Sequence, residues 1–275
     1  YGAATWGQFF IYQGFSDRAG WMHTSSGVDN IDEFAETIVK EGDRRFYMHG
    51  GQRKPVITQT ISVPYKTATG MARKDFTVYR THHGPIVREQ DGKWVAVALM
   101  DIPIQALMQS YGRTKARNMA EFVKILDTHS NSSNNTLFAD NSGNVAYFHA
   151  NYIPRRDPKF DWTRPVDGSD PASDYKGVHS VNESPNVINP ASGWAYNTNN
   201  WPWSAAGESS PKKDAFPAYV ETASENARGI HAIRLLSDRK GITRDGLLDV
   251  AFDGYLPGLA DIVPAVVKTR DAAAA

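Results

Sequence analysis

The chain has 275 residues, 30 basic and 30 acidic side chains, and no Cys. A formal net charge of zero gives no overall electrostatic attraction to nucleic acid or to an anionic membrane surface. The lack of Cys excludes disulfides, Cys nucleophiles and thiolate metal sites, and no apolar run approaches the ~18 residues of a membrane span. We therefore expect neither nucleic acid nor a membrane as a partner.

Residues 1–155 predict mainly β structure. Phe9–Tyr12 is a short apolar run of the kind that forms a buried strand. Residues 57–63 alternate apolar and polar side chains, which is the period of a strand. Asp91-Gly92 and Asn141–Asn144 are turn sequences between strand-like segments, and they predict two hairpins.

The remaining sequence predicts a long irregular segment followed by helices. Residues 156–217 are rich in Pro, Asn, Ser, Gly and Asp, and unpatterned segments of this length are often functional. Residues 218–275 predict mainly helical structure. Helical periodicity occurs earlier at Met119–Leu126, after a cap at Asn118, and then in three later segments: Ser224–Leu236, Thr243–Ala251 and Leu259–Val267. Together these segments predict one α+β domain over residues 1–275.

An Asn-rich segment, Asn197-Thr198-Asn199-Asn200, lies near the end of the irregular region. An amide side chain donates two hydrogen bonds, which suits stabilisation of an oxyanion. The same residues are also typical of a turn, because Asn tolerates left-handed backbone and bonds to its own main chain. Spacing alone leaves both interpretations open.

Two other patterns offer candidate ligands. Asp29 and Asp32 could give carboxylate oxygens to a hard cation, although the spacing lacks a complete EF-hand loop and also suits a solvated turn. His82-His83 follows a predicted strand, where adjacent side chains point to opposite faces. We therefore expect the two imidazoles to have separate packing or hydrogen-bonding roles rather than to share a metal.

Five segments taken together, in this order, resemble the β-subunit of the penicillin acylase family over about Trp21–Tyr255: Trp21–Asp32, Arg80–Ile86, Thr136–Tyr147, Asn189–Asn200 and Ala227–Leu236. The resemblance implies an N-terminal nucleophile hydrolase fold, with layered antiparallel sheets in an αββα arrangement. It also implies hydrolysis of a linear side-chain amide through an acyl-serine intermediate.

Individual roles follow from the same resemblance. Asn199 matches the amide that stabilises the oxyanion, and Ser25 matches the position whose backbone N–H is the second donor. Arg228 matches an Arg near the substrate and the N-terminal amine. A structural Ca²⁺ site, completed in the family by another chain, is implied for three residues: Asp29, Ile31 through its carbonyl, and Asp32.

The resemblance further implies that the nucleophilic Ser lies upstream of this sequence. We therefore expect an interior fragment of the catalytic subunit, partial at both ends and inactive alone, with the α-chain and the rest of the β-subunit as partners. The expected substrate is a small-molecule amide, and the expected location is the periplasm or the exterior. Two alternatives remain: a non-catalytic structural relative, and a carbohydrate-binding β-module that stacks sugars on Trp194, Trp201 and Trp203.

Overall fold

The computed structural model describes residues 1–260 and 262–274. The strands within them are β1 (Gly2–Ala3), β2 (Gln13–Phe15), β3 (Ala19–Ser25), β4 (Asp32–Glu36), β5 (Ile38–Glu41), β6 (Arg44–His49), β7 (Gln52–Pro55), β8 (Ile57–Thr67), β9 (Gly70–Arg80), β10 (Ile86–Gln90), β11 (Lys93–Ala98), β12 (Asn134–Asp140), β13 (Val145–Phe148), β14 (Val166–Asp167) and β15 (Asn186–Ile188). The α-helices are α1 (Pro103–Arg113), α2 (Met119–Leu126), α3 (Ala227–Leu236), α4 (Arg244–Ala251), α5 (Pro257–Ala260) and α6 (Ile262–Ala274).

Backbone contacts divide the chain into two compact units. Unit 1 comprises Tyr1–Asp29, Ile102–Ile153 and His179–Ala275, and unit 2 comprises Asn30–Asp101 and Pro154–Val178. The single domain predicted over residues 1–275 stays a prediction, because two units interleaved along the chain are compatible with one domain or with two. The mixed content of helices and mainly antiparallel strands agrees with the predicted α+β class.

Unit 1 is built on a six-stranded antiparallel sheet in the order β1-β2-β3-β12-β13-β15. Helix α2 buries Phe122 against Phe138 and Phe148 of this sheet, and the Phe122 and Phe138 ring centroids are 4.5 Å apart. The predicted cap is confirmed, since the Asn118 side chain accepts a hydrogen bond of 2.9 Å from the Glu121 N–H. This packing fixes β3, whose end carries one of the predicted site residues.

Two parts of unit 1 differ from the prediction. Phe9–Tyr12 does not form a strand: Phe10 is buried but Phe9 is 71% exposed, and the strand begins only at Gln13. Helix α1 was not predicted. Its buried side chains are Gln109 and Arg113, while several apolar side chains face outward, so its hydrophobic pattern is reversed.

Unit 2 contains a four-stranded sheet (β10-β11-β4-β14), a three-stranded sheet (β5-β6-β7) and the long hairpin β8-β9. Phe34 of β4 is buried in the core of the first sheet. The predicted hairpin at Asp91-Gly92 is confirmed, with φ of +53° and +74° at its two turn residues. A second predicted hairpin, in unit 1, is likewise confirmed between β12 and β13.

The expectation that His82 and His83 face opposite ways is wrong. Strand β9 ends at Arg80, so both His residues lie in the bend that follows it. The alternation of a strand therefore does not apply to them, and both Nε2 atoms lie within 3.2 Å of the Asp174 carboxylate. No helix in the part of the chain that the structure describes is long and apolar enough to span a bilayer.

Candidate active site

Unit 1 brings three predicted site residues together. The Asn199 Nδ2 donates to the Ser25 carbonyl oxygen at 3.2 Å, at the end of β3. The Arg228 Nη2 donates to the Asn199 Oδ1 at 3.0 Å. Asn199 therefore joins the strand end to the first turn of α3, and all three residues are exposed to solvent.

The backbone around Asn199 explains its position. Asn199 has a φ of +64°, in the left-handed region that Asn enters more readily than most residues. Its N–H donates to the Asn197 Oδ1 at 2.8 Å, and the same oxygen accepts a bond of 3.2 Å from the Asn135 Nδ2. A non-Gly residue held in this conformation by its neighbours is common at functional sites.

Asn200 supports this turn from inside the unit. It is fully buried, and its Nδ2 donates to the Glu225 Oε1 at 2.9 Å and to the Tyr196 hydroxyl at 3.1 Å. Its Oδ1 accepts the Thr198 N–H at 3.0 Å. The sequence did not distinguish the buried, supporting Asn200 from the exposed Asn199. Both are Asn, and Glu225, which Asn200 contacts, is 25 residues away in sequence.

Arg228 occupies an electrostatically unfavourable position in its helix. Helix α3 begins after Asn226, whose side chain accepts the Gly229 N–H at 3.0 Å, so Arg228 lies in the first turn. A cation there opposes the helix dipole. The Asn226 Nδ2 also donates to the Thr198 carbonyl at 3.1 Å, which fixes the start of α3 to the Asn199 turn. Because Arg228 destabilises its own helix at this position, its presence is consistent with a role other than stabilising α3.

A cavity of about 440 Å³ adjoins Arg228. Its lining includes Arg228, His231, Tyr255 and Leu259. This volume falls within the range of small-molecule sites. The Arg234 guanidinium lies 3.7 Å from the centroid of the Tyr255 ring and holds one wall in place.

The hydrogen bonds orient the Asn199 amide. The guanidinium of Arg228 fixes which end is oxygen, so the NH₂ group faces the end of β3. An amide nitrogen carries two hydrogens, and the Ser25 carbonyl takes one of them. Among the described residues Nδ2 has no other acceptor, so its second hydrogen is available to a ligand oxygen. This geometry can stabilise negative charge near Ser25.

His23, two residues before Ser25, is a neutral part of the strand. Burial, reinforced by the Arg113 cation, lowers the pKa of His23 to about 3. Its Nδ1 lies 2.9 Å from the Thr136 Oγ1. His23 therefore adds no charge near the end of β3 at neutral pH.

The three predicted calcium ligands lie on both sides of the division between the units. Asp29 closes the first segment of unit 1, whereas Ile31 and Asp32 belong to unit 2. The Asp32 Oδ2 accepts the Arg156 Nε–H at 2.7 Å and a bond from the Tyr175 hydroxyl. Its Oδ1 is buried and has no hydrogen-bond partner within the described residues. A buried carboxylate oxygen of this kind fits an oxygen ligand for a hard cation.

The tryptophans of the carbohydrate alternative do not form one exposed platform. Trp194 is 8% exposed and packs with Tyr196 and Leu236. The Trp201 Nε1 donates to the Glu225 Oε2 at 3.2 Å, and the Trp203 ring lies 5.6 Å from that of Phe216. Because Trp194 belongs to the core, it is not available for stacking on a sugar.

Comparisons with known proteins agree with one another. The sequence profile of the family described as penicillin amidase matches residues 1–275. The chain is 28% identical over 241 residues to a penicillin G acylase of Escherichia coli, covering 86% of this chain and 27% of that protein. It is 31% identical over 91 residues to the acyl-homoserine lactone acylase QuiP of Pseudomonas fluorescens, covering 33% of this chain and 11% of that one.

A solved structure shows a similar fold. The thermostable penicillin G acylase from Alcaligenes faecalis matches with a TM-score of 0.74 at 20% identity, over 90% of this chain and 43% of that one. The chain thus spans about a quarter of the length of the Escherichia coli relative.

Proposed function

The chain belongs to the penicillin amidase family, and from this premise we propose that it supplies the oxyanion-binding part of an amide-hydrolysing acylase. The observation that carries the proposal is the Ser25–Asn199–Arg228 arrangement. Two relatives bear the names of acylases, one for penicillin G and one for acyl-homoserine lactones. The substrate class we infer is a small molecule with a linear amide.

The proposed reaction is acyl transfer to a serine followed by hydrolysis. Attack of the Ser hydroxyl on the amide carbonyl places negative charge on the carbonyl oxygen, and the Asn199 Nδ2 and the Ser25 backbone N–H donate to it. Collapse of the intermediate expels the amine, and water then releases the acid. A hydroxyl nucleophile needs an adjacent base, and we assign that role to the α-amino group of the Ser itself.

Arg228 acts on this step by holding Asn199. Its guanidinium binds the Asn199 Oδ1 and so keeps the NH₂ group directed at the developing oxyanion. Donors fixed before the reaction need no reorganisation when charge develops, which is why one such donor is worth ~2.7–4 kcal/mol. Arg228 is thus proposed as a positioning residue that also borders the substrate cavity.

The proposal extends to a structural calcium ion. Carboxylate oxygens of Asp29 and Asp32 and the carbonyl of Ile31 would hold Ca²⁺, together with ligands from another chain. The unpartnered Oδ1 of Asp32 supports this assignment. The ion would supply stability and takes no part in the chemical step.

We propose that the complete protein has the layered αββα fold of N-terminal nucleophile hydrolases and acts in the periplasm or outside the cell. The nucleophilic Ser, the α-chain and the rest of the β-subunit belong to that protein. The 275-residue chain alone is proposed to be inactive, because the resemblance assigns the nucleophile to a segment upstream of it. The carbohydrate-binding alternative has no support from the position of Trp194.

The test is amide hydrolysis by the complete protein. Penicillin G and an N-acyl-homoserine lactone are incubated with it, and the released amine is measured together with the mass of the enzyme after a serine-acylating reagent. The proposal expects amine release from at least one substrate and one acyl adduct on a Ser. Failure to cleave either substrate, combined with no adduct, would overturn it.

A further inference from the structure

Three imidazoles and one carboxylate converge within unit 2. His49 ends β6, His82 and His83 follow β9, and Asp174 follows a short turn at Pro171–Ser173. Their Nε2 atoms lie 3.2, 3.2 and 3.0 Å from the Asp174 carboxylate oxygens. One ligand atom from each residue fits within a region 4.8 Å across.

The outer nitrogen of each imidazole is held by another group. The His49 Nδ1 lies 3.0 Å from the Gly168 carbonyl, and the His83 Nδ1 lies 2.9 Å from the Glu36 Oε1. The His82 Nδ1 lies 3.0 Å from the Tyr47 hydroxyl. A carbonyl or carboxylate at Nδ1 selects the Nδ1–H tautomer, which leaves the lone pair on Nε2. This outer support is the usual arrangement around metal-bound His.

The inward-facing atoms need positive charge between them. With lone pairs on Nε2, the His49 and His83 rings would face the Asp174 carboxylate with no proton to share. Such an arrangement is repulsive unless a proton or a cation occupies the centre. A divalent metal satisfies all four groups at once, whereas one proton satisfies only one pair.

The side chains are also held rigidly. The His83 ring stacks on Phe34 with centroids 3.8 Å apart, and the His82 ring stacks on Tyr47 at 5.4 Å. His49 is 7% exposed, but the side chains of His82 and Asp174 are 33% and 40% exposed. The cluster is therefore preorganised on its inner side and reachable from solvent on its outer side.

We propose that His49, His82, His83 and Asp174 form a structural Zn²⁺ site. Imidazole ligands favour zinc and its neighbours over the oxygen-preferring Ca²⁺ and Mg²⁺. Four protein ligands are typical of a structural zinc, and bonds of ~2.0–2.2 Å place ligand atoms about 3.3 Å apart. The Nε2–carboxylate distances are already close to that spacing. The metal would cross-link three segments of unit 2 that are distant in sequence.

The experiment measures zinc binding to the complete protein. The protein is stripped with a chelator, dialysed into excess Ca²⁺ to occupy oxygen sites, and titrated with Zn²⁺. We expect one equivalent of zinc and a higher melting temperature. In His82→Ala and Asp174→Asn the affinity should fall by at least ~100-fold, since each removes a ligand.

Two further variants keep the test decisive. Tyr47→Phe preserves the stacked ring but removes the hydroxyl at the His82 Nδ1, and loss of such outer support typically weakens metal binding by ~10–100-fold. The control is His129→Asn, which removes a different His–Asp pair, at 3.5 Å, and suits the left-handed φ of +52° there. It should keep the zinc. The proposal is overturned if the parent binds no zinc, or if His129→Asn loses it as fully as His82→Ala.

Discussion

Replacement of Asn200 by Ala should destabilise the fold, whereas removal of the Asn199 side chain by substitution with Gly should not. The two hydrogens of the buried Asn200 Nδ2 are shared among three oxygens within 3.1 Å, on Glu225, Tyr196 and Ser204, and its Oδ1 accepts the Thr198 N–H. A hydrogen bond to a charged group contributes ~1.5–3 kcal/mol and a neutral one ~0.5–1.5 kcal/mol. Because such losses are not additive, and single substitutions rarely exceed ~4–5 kcal/mol, we expect a loss of about 3–5 kcal/mol.

The assay is urea unfolding of the complete protein followed by fluorescence, with Asn199→Gly as the matched control. Gly accepts the φ of +64° without strain, so the control removes an exposed amide and little else. We expect its free energy of unfolding to change by less than about 1 kcal/mol. A loss below about 1 kcal/mol in Asn200→Ala, or equal losses in the two variants, would refute the division of roles between these residues.

Three other predictions concern the site and its support. Arg228→Met should lower kcat by about 5–10-fold, because solvent screening weakens the charge-assisted hydrogen bond that is lost. In an Asn199→Ala background, steady-state kinetics should show almost no further fall in kcat when Arg228→Met is added. Burial and Arg113 lower the pKa of His23 to about 3. The contribution of the neutral His23 to the free energy of unfolding is therefore fully present above pH ~6.5 and is lost as the pH falls toward 3. Between pH 7 and 5 the free energy of unfolding should fall by about 2 kcal/mol less in His23→Gln than in the parent, and an equal fall in the two proteins would contradict the burial of a neutral His. Removal of calcium should lower the melting temperature by roughly 5–10 °C if calcium is normally at about 100 times its Kd. With Zn²⁺ kept saturating so that the imidazole cluster stays filled, Asn substitution at Asp29 should abolish that shift, and a calcium-dependent shift that persists in Asp29→Asn would contradict the ligand assignment.

The sequence predicted correctly those features that depend on interactions between residues close together in the chain. The cap at Asn118, the helix start at Thr243 and the Asp91-Gly92 turn each depend on residues a few positions apart. The helix predicted from Ser224 begins three residues later, at Ala227. Helix α1 was missed because Gln109 and Arg113 are its buried residues, so hydrophobic periodicity indicates the wrong face. The Phe9–Tyr12 run resembled a strand, but only Phe10 among its residues is buried.

The candidate active site depends on contacts between residues far apart in the sequence, which local sequence patterns do not predict. The resemblance selected Ser25, Asn199 and Arg228, and the structure brings them within hydrogen-bond distance across 174 and 29 residues of sequence. The support from Asn200 and Glu225 was missed for the same reason. His82 and His83 were misjudged because the end of β9, rather than the sequence pattern, decides where their rings point.

The most direct test of the central claim is the kinetics of Asn199→Ala in the complete, processed enzyme, with Asn199→Gly to exclude backbone strain. Each variant is first shown by mass to have been cleaved to a free N-terminal Ser. A donor that acts only on developing charge affects kcat far more than KM. We therefore predict a fall in kcat of ~10²–10³-fold, with KM within a few-fold of the parent. A kcat within a few-fold of the parent in both variants would contradict the assignment of the oxyanion to Asn199.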